Sequence, residues 1–226
     1  MMPTSLDKQL NQLGYAPVPR VLTEDQCARL RAMYDDDRLF RSTVDMTRYR
    51  FGEGEYKYFA DPLPGEVQAL RVNMYALLVP VANDWMERLG RPHRYPATLD
   101  EFRDRCRAHG QTRPTPLLLR YEAGGYNCLH QDLYGDLAFP FQLVVALSRR
   151  DVDYTGGEFL LVEQRPRAQS RGEAVTIEQG DGVIFANSDR PVAGARGFHR
   201  VTMRHGVSRV RSGERMTLGV IFHDAT

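Results

Sequence analysis

Apolar residues change their spacing along this chain near residue 112. Before that point they recur at the three-to-four-residue interval of amphipathic helices. Ser5 to Leu13 reads as a short helix stopped at Gly14. Thr23 can cap a second helix, with Glu24 and Asp25 at its positive end and Leu30 and Met33 on its buried side. A third run, from about Gly65 to Leu89, contains Pro80, which predicts a kink or a split. Thr98-Leu-Asp-Glu101 has capping-box form and opens a helix that should stop at Gly110. Beyond residue 112, short apolar runs alternate with turns. They are Pro116 to Tyr121 before Gly124-Gly125, Phe139 to Leu147, Gly156 to Val162, Val183 to Ala186 after Gly180-Asp181-Gly182, and Met216 to Phe222. Short strands at this spacing predict a sandwich or barrel. Residues 48–59 alternate aromatic and charged positions around two glycines, a pattern of an edge hairpin or of a flap over a substrate.

The candidate chemistry sits in the strand-rich half. In His130-Gln131-Asp132, residues two apart share one face of an extended chain and can grip one ion. His205 precedes Arg215 by ten residues, with Arg211-Ser-Gly-Glu214 as a turn and an apolar strand following at once. Two imidazoles and one carboxylate suit one face of a ferrous ion and leave positions open for oxygen and an organic co-substrate. An arginine beyond the second histidine can hold a carboxylate with two parallel hydrogen bonds. His199 is the alternative third ligand, since it precedes Arg209 by the same ten residues; the glycine turn and strand around Arg215 favour His205. His93 and His109 lie in polar, arginine-rich surroundings and read as solvated, while His223 reads as structural. Cys128, two residues before His130, reads as a small buried hydrophobe.

The ordered set Tyr121-Glu-Ala-Gly-Gly-Tyr-Asn-Cys-Leu-His130-Gln-Asp132, Gly156-Gly-Glu158, Gly180-Asp-Gly182 and His205-x-Val207-x-x-Val210-x-x-Gly213-x-Arg215 resembles the iron(II)- and 2-oxoglutarate-dependent dioxygenases. Within that superfamily the pattern is similar to the prolyl-hydroxylase-like and AlkB-like branches. Met203 to Gly213 and Leu218 to Ala225 bring it closest to a bacterial nucleic-acid-type oxygenase group that includes the AlkX proteins. The resemblance implies a double-stranded β-helix (jelly-roll) core packed by N-terminal helices, a mostly β fold with helical support. It implies iron held by His130, Asp132 and His205, and 2-oxoglutarate held by Arg215 with Tyr121 and Thr217. It also implies oxygen as oxidant, with ascorbate as a possible reductant, and hydroxylation of a C–H bond coupled to release of succinate.

At 226 residues the chain fits one domain, residues 1–112 as mainly helical support and 113–226 as the catalytic core. No apolar run approaches the length of a membrane span. Three cysteines, Cys27, Cys106 and Cys128, without metal-type spacing, and an amino terminus unlike a secretory signal, point to the cytoplasm. A net charge of +1 excludes a global basic field. Yet all but Lys8 and Lys57 of the 30 basic residues are arginine, and Arg190, Arg196, Arg200, Arg204, Arg209 and Arg211 crowd the region of the second histidine. Such a rim suits phosphates, or is the solvated end of strands. The first substrate expectation is therefore alkylated nucleic acid, such as damaged DNA. The alternatives are a protein (prolyl) or small-molecule hydroxylase, and a non-catalytic binding module with a relict site.

Overall fold

All seven residues from Arg215 to Ile221 are buried, as happens only in a strand covered on both faces. In the computed structural model, which describes residues 5–226, the chain runs α1 (Ser5–Leu13), β1 (Tyr15–Val18), α2 (Glu24–Met33), β2 (Phe40–Asp45), β3 (Gly52–Glu53), β4 (Glu55–Phe59), α3 (Gly65–Arg88) and α4 (Leu99–Ala108). Then come β5 (Leu117–Tyr121), β6 (Tyr126–His130), β7 (Phe141–Ala146), β8 (Tyr154–Gly156), β9 (Phe159–Gln164) and β10 (Arg171–Val175). The chain finishes with β11 (Gly182–Ala186), β12 (Asp189–Gly194), β13 (Gly197–Val207), β14 (Val210–Gly213) and β15 (Arg215–Ile221). Met1 to Thr4, the start of the terminus read above for a secretory signal, lie outside the described residues.

Seven strands form a major sheet in the order β1-β11-β7-β15-β5-β4-β2. Six form a minor sheet, β10-β9-β13-β6-β3 with β12 paired to β13, and β8 pairs with β14 separately. The pairings are antiparallel. Two sheets facing each other with helices outside make a jelly roll, mostly β with helical support, as the sequence predicts.

Alternation along the major sheet divides its residues between two environments. Leu118, Leu143, Val145, Met216, Leu218 and Val220 join Tyr75, Trp85 and Phe102 in the helix-side core. Their neighbours Leu117, Leu119, Tyr121, Gln142, Arg215 and Thr217 line the space between the sheets. The period of two thus sends one set of side chains to structure and the other to the site. The helix layer is pinned by contacts such as Trp85 on Phe141, with ring centroids 4.5 Å apart. α3 runs unbroken through Pro80. Its buried residues Leu78, Val79, Val81, Ala82 and Trp85 hold the helix together against a proline cost of about 3 kcal/mol.

Residues 5–112 hold the four α-helices and also four short strands, of which β1, β2 and β4 extend the major sheet and β3 the minor one. Two sequence expectations need correction. Residues 48–59 do not form a hairpin. β3 pairs with β6 through Gly52–Asn127 and Glu53–Tyr126, whereas β4 pairs with β5 and β2, so the chain crosses between the sheets here. Gly52 permits the crossing: at φ +146° a Cβ would lie 2.2 Å from the Tyr126 carbonyl oxygen. Finally, residues 211–214 are not a simple turn. β14 pairs with β8 and carries the chain from the minor sheet to β15 in the major one.

Candidate active site

β6 and β13 lie side by side with His130 directly opposite His205. Their ring centroids are 4.2 Å apart. Along β13 the residues Val201, Met203, His205 and Val207 are buried while Arg200 and Arg204 are exposed, so the strand's own alternation turns His205 inward. Asp132 follows just past the end of β6 and is fixed through its backbone. Its N–H donates to Asn187 Oδ1 at 2.9 Å, the Asn187 amide donates back to the Asp132 carbonyl, and Gln142 Nε2 donates to Asn187 Oδ1 at 2.7 Å.

The three side chains converge. One ligand atom from each of His130, Asp132 and His205 lies within 4.8 Å of the others. His130 Nε2 is 3.5 Å from Asp132 Oδ1, and His205 Nε2 is 3.3 Å from Oδ2. The tautomer of His130 follows from its other nitrogen. Nδ1 is 2.8 Å from the Cys128 carbonyl, which only accepts, so Nδ1 carries the proton and Nε2 presents a lone pair. Burial, aided by the neighbouring His130, pushes the His205 imidazole below its usual value and keeps it neutral. Burial alone would raise the Asp132 carboxyl, but His205, His130 and Tyr134 outweigh it and hold it well below the usual carboxylate range. Two imidazoles and a buried carboxylate gathered this closely form a compact set of nitrogen and oxygen donors. The donor set therefore fits a divalent metal.

This cluster opens into a cavity of about 370 Å³ between the sheets. Arg215, Tyr121 and Thr217 line the same cavity. Arg215 stands opposite Tyr121 and Thr217 opposite Leu119 in the β15–β5 pairing. Arg215 is 2% exposed, yet its Nε and Nη1 have no hydrogen-bond partner. Its guanidinium lies 5.6 Å from the Tyr121 ring centroid and 6.0 Å from that of Tyr154. Gly157 makes room for it: at φ +62° a Cβ there would fall 2.7 Å from Arg215 Cδ. The Tyr121 hydroxyl accepts from Asn127 Nδ2 at 3.2 Å, and burial pushes its pKa up to about 12, so it keeps its proton.

His199 lies exposed on the outer part of β13, opposite Val192 and away from the cluster. His93 and His109 are exposed, and His223 is buried with Nδ1 accepting from the Phe139 N–H at 3.2 Å. Two expectations are overturned. Cys128 is exposed, because β6 is bordered on one side only by the two-residue β3 and its end lies at an uncovered edge. Arg190 belongs to no rim: it is 1% exposed and bound to the buried Glu163. Arg196, Arg200, Arg204, Arg209 and Arg211 are exposed.

Sequence reasoning missed Tyr134, whose hydroxyl donates to Asp132 Oδ1 at 2.6 Å, and Tyr58, which donates to Tyr134 at 3.0 Å. It also missed the amides Asn127, Gln142 and Asn187. A signal existed for Tyr134 alone, since it continues the alternation His130-x-Asp132-x-Tyr134.

Comparison with known proteins agrees with this geometry. Residues 54–225 match the family Oxygenase-NA, described as "Oxygenase, catalysing oxidative methylation of damaged DNA". The uncharacterized protein Rv2227 of Mycobacterium tuberculosis (strain ATCC 25618 / H37Rv) is 52% identical over 167 residues, 74% of this chain and 72% of that protein. Among solved structures, a Pseudomonas putida prolyl-4-hydroxylase superposes with TM-score 0.58 at 12% identity, covering 98% of each chain. An oxidoreductase of the 2OG-Fe(II) oxygenase family from Burkholderia pseudomallei superposes with TM-score 0.56 at 17% identity, covering 98% of this chain and 91% of that one. At such identities the two structures speak for the fold alone. The sequence match is what assigns the chain, which belongs to the Oxygenase-NA family of oxygenases.

Proposed function

We propose that this oxygenase is an iron(II)- and 2-oxoglutarate-dependent dioxygenase that removes alkyl groups from damaged nucleic acid by hydroxylating them. One observation carries the reading: a buried guanidinium with two partnerless nitrogens shares a cavity with a two-histidine, one-carboxylate cluster. A dicarboxylate that reaches from the cluster to Arg215 satisfies both ends. His130, Asp132 and His205 would hold the iron, and Arg215 would grip the distal carboxylate of 2-oxoglutarate. Tyr121, whose oxygen already accepts from Asn127, keeps its own proton to donate to a guest oxygen. Thr217, two residues from Arg215 on the same strand face, offers a hydroxyl beside it. When bound, ferrous iron and 2-oxoglutarate together supply oxygen activation, with C–H hydroxylation coupled to decarboxylation of the co-substrate. The chain's apolar walls, Leu119, Val144, Phe159, Phe185 and Val207, exclude water from that chemistry.

The mouth of the cavity supports the substrate class, as does the family's description. Arg50, Phe51 and Leu129 line it. Phe51 is 48% exposed and stacks on Tyr49, 60% exposed, with ring centroids 5.5 Å apart and planes 19° apart. Exposed flat aromatics beside an arginine are a platform for a base taken out of its stack. Hydroxylation of an N-alkyl carbon yields a hemiaminal that collapses to aldehyde and the restored base. The test is succinate formation by purified protein with ferrous iron, ascorbate and 2-oxoglutarate, with and without an N-methylated oligonucleotide. Succinate that rises with the oligonucleotide and vanishes in Asp132→Ala is expected. Co-substrate turnover that persists in Asp132→Ala overturns the ligand assignment, and turnover indifferent to the oligonucleotide overturns the substrate.

A further inference from the structure

A carboxylate oxygen accepts hydrogen bonds and has none to donate. The hydroxyl of Tyr134, 2.6 Å from Asp132 Oδ1, must therefore donate to it. Having spent its proton there, Tyr134 presents only lone pairs to Tyr58, 3.0 Å away, so Tyr58 must donate in turn. Both protons point the same way, down a chain that starts on β4 in the major sheet and ends on the carboxylate beside β6 in the minor one. The guanidinium of Arg41 lies over the Tyr58 ring, 4.4 Å from its centroid, and its Nε is tied to the Pro114 carbonyl at 2.8 Å. A cation on the ring face draws electron density from the phenol and makes Tyr58 a better donor. The rings are held as well: Tyr58 is 8% exposed and meets Tyr134 edge-on, at 6.3 Å and 89°.

The two carboxylate oxygens are thereby made unequal. Oδ1 accepts the Tyr134 hydroxyl, while Oδ2, 3.3 Å from His205 Nε2, has no hydroxyl donor among the described residues. We infer that Tyr134, backed by Tyr58, is a positioning residue that makes Asp132 offer the metal one oxygen, Oδ2, and so preserves the open positions that the chemistry needs. The inference rests on the metal reading given under Proposed function. Hydrogen bonds to ligating groups fix their orientation and basicity, and losing one commonly weakens metal affinity 10- to 100-fold. Tyr58 does not reach Asp132. Its effect passes through Tyr134, so the two residues must act as a unit and not independently.

The test is cobalt(II) titration of metal-free protein, read by its visible ligand-field spectrum, for wild type, Tyr134→Phe, Tyr58→Phe and the double variant. Cobalt is inert to the oxygen chemistry, so the readout is independent of turnover. Tyr134→Phe is expected to weaken cobalt binding about 10- to 100-fold and to shift the ligand-field bands as the freed carboxylate turns. Tyr58→Phe is expected to weaken it less. The double variant is expected to match Tyr134→Phe alone. Equal affinity and spectrum for Tyr134→Phe and wild type overturn the inference while the metal site stands. Additive losses in the double variant overturn the relay between the tyrosines. A wild-type protein that binds neither cobalt(II) nor iron(II) overturns the metal reading and this inference with it. Each substitution removes one hydroxyl and leaves the ring, and thermal unfolding of the metal-free variants separates lost binding from lost fold. Should Tyr134→Phe prove unstable, a Tyr58→Phe protein that folds normally and binds cobalt like wild type overturns the relay.

Discussion

A buried guanidinium with two unsatisfied nitrogens is costly unless an anion joins it, and Arg215 is in that position. Its replacement by alanine removes charge-assisted hydrogen bonds worth roughly 1.5–3 kcal/mol each. Arg215→Ala should raise the 2-oxoglutarate requirement roughly 100-fold while metal affinity stays within about twofold, as seen by steady-state succinate release and by cobalt titration. A loss of metal affinity of the same size would mean that Arg215 serves the ligands and not the co-substrate. His223 gives a pH-dependent counterpart. Burial, and then the charge of Arg71, lower its pKa to about 4 from an ordinary value near 6.5. The unfolded chain therefore binds the proton first as pH falls. The stabilising contribution is whole above pH 6.5 and is lost between there and about pH 4, some 3 kcal/mol in all. His223→Gln, which keeps an acceptor for the Phe139 N–H, should flatten the denaturant-midpoint profile across that window; an unchanged slope would exclude His223 as its source. At this scale the sequence exposed what alternation could mark. His130 and Asp132 share a face, and the turn and strand around Arg215 separated His205 from His199. Tyr134 stood in the same alternation unnoticed, and Tyr58 had no local signal because only the β4–β5 pairing brings it near.

Short apolar runs bounded by turn residues were legible, and β5, β7, β11 and β15 lie close to where those runs predict them. A capping threonine likewise located α2 and a capping box α4, and the Thr23 and Thr98 hydroxyls accept from the third helical N–H in both cases. What the pattern could not show was partnership between distant segments. Residues 48–59 had the alternation of a hairpin, but their partners are β6 on one side and β5 on the other. Asp224 is a second case, since nothing in the sequence marks its partners. Asp224 is 0% exposed and receives Arg71 Nη2 at 2.7 Å and Arg103 Nε at 3.0 Å, while Arg71 also donates to the Ile221 and Phe222 carbonyls at 2.9 and 3.0 Å. This cluster bolts α3 and α4 to the segment following β15. Removing the carboxylate leaves Arg71 buried without its counter-charge, so Asp224→Ala should cost about 3–5 kcal/mol in urea denaturation. A cost under about 1 kcal/mol would show that the helix layer is held by its apolar contacts alone.

The whole molecule carries a net charge of +1, so long-range attraction to a polyanion is weak and affinity must arise at the mouth of the cavity. Arg48, with 79% of its side chain exposed, and Arg50 flank the stacked Tyr49–Phe51 pair, and Leu129 and Leu133 stand 42% and 50% exposed nearby in sequence to the ligands His130 and Asp132. Aromatic platforms contribute about 1–3 kcal/mol per stacked base, nearly independent of salt, whereas each phosphate contact adds roughly 0.7 to the logarithmic salt slope on single strands. These two terms can be separated. For a fluorescent single-stranded oligonucleotide with one N-methylated base, Phe51→Ala should weaken binding about 5- to 150-fold at every salt concentration, leaving the slope as it is. Arg50→Ala should do less at high salt and reduce the slope by roughly 0.7. Fluorescence anisotropy between low and physiological salt reads both. If Phe51→Ala binds like wild type, the bases do not stack on this ledge, and the exposed aromatics belong to a partner of another class. If Phe51→Ala abolishes binding to a hydroxylatable peptide instead, the same cavity serves a protein substrate, and the arginines of the rim are no more than the solvated ends of strands.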